Sequence, residues 1–122
     1  MPTYDVLPVE RRPAVTLIQW RSIEVPLRGH GLPWTLHLCG WSSEDGQGQV
    51  SSPVTLLDAA AGTFESSSGR IYRLKGPPGT HPDAAYVWRR WKTRWHVLDV
   101  RHLSNSIFER MRVAQEENEG NA

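Results

Sequence analysis

The most concentrated chemistry in this chain lies in residues 88–95, where Trp88, Trp91 and Trp95 interleave with Arg89, Arg90, Lys92 and Arg94. Flat indole faces can stack on nucleobases, and a row of cations can track phosphates. The same residue types on an amphipathic helix can instead bury the indoles and leave the cations in water. The spacing favours burial. At about 100° per residue, Ala84, Trp88, Trp91 and Trp95 fall in one stripe, with Val87 beside it. Trp88 and Trp91 are therefore expected in the core. The cations spread around the remaining circumference: Arg89 and Lys92 form one neighbouring pair, Arg90 and Arg94 another. A continuous basic patch would need a second element, and Arg101 could supply it. The expected alternative is neutralisation by acids such as Glu65, Asp99 or Glu109. Candidate contacts for a partner or a nucleic acid are thus Arg89, Arg90, Lys92, Arg94 and Arg101.

Other candidates carry less. His37 and Cys39 alternate along a strand and share a face, and a cysteine nucleophile needs a histidine base within reach. Same-face neighbours on one strand are about 6–7 Å apart at Cα, and no third orienting group stands out. A buried, inert thiol is the simpler reading. The stretch "GPPGT" opens like the phosphate-binding loop of ATPases. It continues into His81, Pro82 and Asp83, where that loop requires lysine and a hydroxyl. The five histidines show no zinc-like spacing, and the chain has one cysteine. No metal and no cofactor is expected. Glu44 and Asp45, and Glu116 and Glu117, read as solvating residues.

A chain of 122 residues fits one domain. At this size roughly two-thirds of the unfolded surface is buried, enough for a core without staples. The net charge of +1 gives no global field toward nucleic acid or an anionic membrane. A disulfide within the chain is excluded, and a lone thiol suits a reducing, cytoplasmic setting. The N-terminus has no apolar run of a secretory signal, and no stretch is long enough to span a bilayer, so no membrane partner is expected.

The elements that must position these residues follow from pattern. Residues 1–13, with three prolines, read as an extended arm. "AVTLIQWRSIEVPL" reads as a strand whose alternation slips phase near Arg21 and Ser22, the mark of a bulge. "WTLHLCGW" is a second strand and "SSEDGQGQ" a polar loop. "VSSPVTLLD" reads as a third strand, at an edge because Pro53 cannot donate to a ladder. "TFESS" and "RIYRLKG" follow after short turns, an antiparallel meander in which Gly69 should take positive φ. A helix should begin after Thr80 as N-cap and run to about Trp95. "HVLDV" reads as a short strand. A last helix should follow Ser104, with Leu103, Ile107, Met111 and Ala114 along one stripe. Residues 14–117 form the globular unit, and residues 118–122 should fray.

From Val50 onward the chain resembles a group of small bacterial accessory proteins. The carrying stretches are "VSSPV", "LD", "SGRIYRLKGPPG", "AAYVWRRW" and a closing "DV", about half the chain. Arg101 stands where that group continues with threonine. The resemblance implies a compact meander plus helix and brings no activity or catalytic residue. The expected fold is α+β: a strongly bent antiparallel meander of about five or six strands, packed against one Trp-rich helix, plus a C-terminal helix. The expected function is non-catalytic binding of another protein, of accessory or mobile-element type, for instance an inhibitor. Homodimerisation through the last helix fits the same pattern. Nucleic-acid binding by the basic helix face is the alternative, and a small enzyme using Cys39 the third.

Overall fold

The computed structural model describes residues 7–120. The first six residues of the expected arm thus lie outside the described residues. The chain runs through β1 (Ala14–Val25), β2 (Thr35–Ser42), β3 (Gln47–Val50), β4 (Val54–Asp58), β5 (Thr63–Ser66), β6 (Ile71–Leu74), α1 (Pro82–Arg94), β7 (Arg101–His102) and α2 (Ser104–Gly120). The fold is α+β, with the tryptophan-bearing helix in place.

Two antiparallel meanders make the sheet, β1-β2-β3 and β4-β5-β6. They join along β1 and β6, giving the order β3-β2-β1-β6-β5-β4. The joining pair is parallel, Ala14 against Ile71 through Leu17 against Leu74, so the sheet is mixed rather than wholly antiparallel. A parallel pair needs a long crossover, and everything from β2 to β5 provides it. The expected third strand divides in two. Its first part belongs to β3 on one sheet edge and its second to β4 on the other. Residues 51–53 bridge the two edges. Four Cα steps reach at most about 15 Å, so the sheet must curl until its edges approach.

The bulge in β1 decides which core each residue serves. Pairing with β2 slips between Ile18 and Arg21, and Gln19 sits at φ 45°. The irregularity therefore lies just upstream of the expected Arg21-Ser22. Because side chains alternate with period two, an extra residue exchanges the faces. Val15 and Leu17 before the bulge and Trp20 after it share one core, with Leu38, Phe64, Tyr72, Leu74 and the α2 residues Ile107 and Met111. Ile23 and Val25 fall on the other face, with Cys39, Ala84 and Trp88. Trp20 thus lies with Leu17, not opposite it as simple alternation suggests.

Three local differences have clear causes. His81, not Thr80, caps α1: its extended backbone (φ −98°, ψ 135°) lets its ring nitrogen accept from the Asp83 N–H. Its ring also stacks on Trp41 at 5.5 Å, which fixes the cap. Residues 96–100 form no strand. The chain is still turning there, and only Arg101 and His102 reach β1, beside Glu24 and Ile23. At the far end α2 continues to Gly120, so the expected tail begins as helix. Gly69 does take positive φ, at 90°.

Candidate functional site

α1 rests on β2 and β3 through its first turns. Gly48 lies against the Ala84 backbone, and the Cys39 thiol donates to the Ala84 carbonyl at 3.5 Å. From this seat the tryptophan stripe runs outward. Trp88 is 4% exposed. Trp91 is half-buried, stacked on Trp88 at 5.2 Å and tilted against the His37 ring at 4.7 Å. Trp95 is 51% exposed. The expectation thus holds for Trp88 and only in part for Trp91. Trp88→Ala is expected to cost about 3–5 kcal/mol and Trp91→Ala about half as much, from the cost of emptying aromatic sites. Urea unfolding of the two variants checks the order.

Among the described residues Arg89, Lys92 and Arg94 do not meet the acids expected to neutralise them. Glu109 pairs with Arg112 on its own helix, and among the described residues no carboxylate pairs with Arg89, Lys92 or Arg94. Aromatic rings lie beneath several of these side chains. Arg90 lies over Tyr86, Lys92 over Trp88 and Arg94 over Trp95, each 5.8 Å from the ring centre. Arg101 lies over Trp34 at 3.7 Å, with Glu24 3.9 Å away. Such contacts hold long cationic side chains down along apolar surface while the charge stays in water. Arg101 joins the far end of β1, next to the C-terminal end of α1, but the cations remain spread around the helix as their spacing requires.

The helix end throws an apolar loop outward. The His96 N–H bonds to Thr93 O and the Val97 N–H to Lys92 O, the pair of bonds that closes many helices. His96 takes the left-handed position where glycine is usual, at φ 54°. The turn sends Val97 and Val100 back against the α1 core and leaves Leu98 93% exposed. Pro26, Leu27, Trp95, His96, Val97, Leu98 and Asp99 line a shallow cleft of about 240 Å³. Reading "HVLDV" as a strand conceals this loop; the signal for it is the lack of any glycine or proline to end α1, which forces a strained turn onto His96.

His37 and Cys39 do come together beneath α1, but as core. Cys39 is 1% exposed. Burial pushes its thiol up, against the pull of the nearby Arg21, the reverse of what a nucleophile needs. His37 is fully engaged: Nδ1 lies 2.7 Å from Ser51 O and Nε2 2.8 Å from Thr35 Oγ1. A carbonyl can only accept, so Nδ1 carries the proton; in the neutral ring the single Thr35 hydroxyl proton then goes to Nε2 at 2.8 Å rather than to Val25 O at 3.4 Å. Burial holds the His37 pKa below its usual value, with the bond to Ser51 opposing. The unfolded chain therefore binds more protons, and the His37 contribution to stability is complete above about pH 6.5 and lost as pH falls below it. His37→Gln can donate to Ser51 O and accept from Thr35. Its unfolding midpoint is expected to fall less than the parent's between pH 7 and pH 5.

Sequence reading also misses a polar seam. Asp45, read as a solvating residue, is 6% exposed at its side chain and accepts from Arg12 at 2.8 Å and from Gln49 at 2.7 Å. Arg70 is buried and donates to the backbone carbonyls of Arg12 and Leu7. These bonds tie the chain before β1 to the two meanders. Among the described residues no three His, Cys, Asp or Glu side chains gather to hold a metal ion, and no helix is long and apolar enough to cross a membrane. No protein-family model, curated protein or solved structure matches the chain.

Proposed function

We propose that the protein is a non-catalytic binding module whose contact surface is the end of α1 and the loop after it, and that its partner is an acidic protein segment with an apolar anchor. The carrying observation is Leu98, 93% exposed on a loop whose neighbours are packed into the core. A leucine held out by a strained turn beside an exposed tryptophan makes one apolar patch, the kind of surface that marks an interaction site. Trp95 and the adjoining cleft extend the apolar area. Arg94, over the Trp95 ring, brings positive charge beside it, and Arg101, over Trp34 and 3.9 Å from Glu24, follows Leu98 by three residues. Complementary charge at such a rim steers association and selects the partner. The accessory role implied by the sequence resemblance, an inhibitor for instance, fits a small rigid domain of this kind. Trp88 is buried, Trp91 is occupied by Trp88 and His37, and Trp95 lies beneath Arg94, which favours protein over nucleic acid.

The test places a photo-crosslinking amino acid at position 98 in cells, with position 56 on β4 as control. A protein adduct specific to position 98, mapped to an acidic segment and lost in Arg94→Glu/Arg101→Glu, is the expected result. Covering Leu98 contributes roughly 1.5–3 kcal/mol, so Leu98→Ser should weaken affinity for that purified partner at least tenfold. No adduct at position 98, or salt-sensitive binding of a short duplex or single strand lost in the same double variant, overturns the reading.

A further inference from the structure

The outer face of α2 shares no residue with the cleft beside Leu98 and has its own pattern. Ile107 and Met111 point into the core. On the flank beside them, Arg110, Val113, Ala114 and Glu117 form with Glu109 and Ala59 an open groove of about 360 Å³. Its floor is apolar and small, Ala59 and Ala114, and Val113 stands 39% exposed beside it. Arg110 marks one end of the groove and Glu117 the other. Among the described residues neither has an ion-pair partner. The neighbouring Arg112 is already held by Glu109 and Glu116, both at 2.5 Å. Seven residues, about two turns, separate Arg110 from Glu117, so the two cannot pair within one helix.

We propose that this face is the contact between two copies of the chain, with the two α2 helices antiparallel about a two-fold axis. A two-fold contact must be self-complementary, each patch meeting its own copy. The midpoint of Arg110 and Glu117 along the helix is also the midpoint of Val113 and Ala114. An antiparallel pair centred there sets Val113 of each copy into the small-residue floor of the other. The same register brings Arg110 of each copy level with Glu117 of the other, twice per dimer. A parallel pair would instead set Arg110 against Arg110 and Glu117 against Glu117. Flanking charges fix orientation in helix pairs in this way. The contacting length, nine residues, is only about 12 Å, so the dimer belongs with small interfaces that dissociate on dilution.

Sedimentation velocity of the full chain over a hundredfold concentration range tests this at low and moderate salt. A reversible monomer–dimer equilibrium is expected. Arg110→Glu alone and Glu117→Arg alone should each weaken dimerisation about tenfold or more, with unchanged circular dichroism and unfolding midpoint. The double reversal, Arg110→Glu/Glu117→Arg, should restore the dimer, since both cross-copy pairs are re-formed with opposite sense. A chain that stays monomeric across the range, or a dimer indifferent to the single reversals, overturns the proposal. So does failure of the double reversal to recover association while the fold is intact.

Discussion

Gly48→Ala is expected to destabilise the protein by about 3 kcal/mol or more, at or above the upper range for overpacked sites. A Cβ at this position would lie 2.6 Å from the Cα and nitrogen of Ala84 and from the carbonyl carbon of Asp83. These are backbone atoms in the first turn of α1, so no side-chain rotation can relieve the contact. The helix itself must lift from β3. Lifting it would break the Cys39 contact to Ala84 O and draw Trp88 out of its site. The variant should therefore show both a lower unfolding midpoint and a red-shifted tryptophan emission. A midpoint equal to the parent's would mean that α1 is not seated on β3 in this way.

Trp20→Ala is the second large effect, expected at about 3–5 kcal/mol and enough to leave much of the population unfolded at moderate temperature. Trp20 is completely buried. Its indole N–H donates to the Gly76 carbonyl at 3.0 Å, and Phe108 of α2 meets it edge-on at 6.3 Å. It thus joins β1, the turn after β6, and α2. Trp20→Phe keeps a six-membered ring but removes the donor and part of the buried indole, so it should cost less than Trp20→Ala, about 2 kcal/mol, with the Gly76 carbonyl left unpaired. Denaturant titration of both variants separates packing from hydrogen bonding. Equal losses would show that the hydrogen bond, not the ring volume, dominates at this site.

Elements whose stability is local could be read in the sequence. α1 has a strong amphipathic stripe and a proline in its first turn. The β4-β5-β6 meander has short turns and a glycine whose left-handed conformation its neighbours demand. What could not be read depends on contacts between distant segments. Nothing near Val50 tells that the next strand crosses to the other sheet edge, because residues 51–53 turn by meeting Leu38 and Ser67. The bulge was legible as a phase slip, but its exact residue was not, since alternation is silent about which position is extra. The aromatic-cationic residues were legible by type. The seat of Arg101 over Trp34 was not, because the two meet only when β7 adds to β1. Leu98 was hidden by alternation, which cannot distinguish a strand from a loop whose every second residue is tucked in.

The two-meander layout has a consequence for the order in which the chain acquires its structure. Within β1-β2-β3 and within β4-β5-β6, neighbouring strands are joined by short connections, so each set closes small loops quickly and with little loss of chain entropy. The parallel junction is different. Ala14 must find Ile71 across the whole intervening chain, and loop-closure cost falls due before those contacts reward it. The junction is thus the slow event, and the Arg70 clasp on the backbone at Arg12 forms at the same moment. Removing that clasp with Arg70→Met should slow refolding, whereas trimming Leu56 on the outer edge strand should leave the refolding rate unchanged. A refolding rate indifferent to Arg70 would place the barrier inside a meander instead. Until the junction closes, β1 and β6 each present an open edge, and a chain still emerging from synthesis holds β1 unpaired on that side until residue 74 has been made.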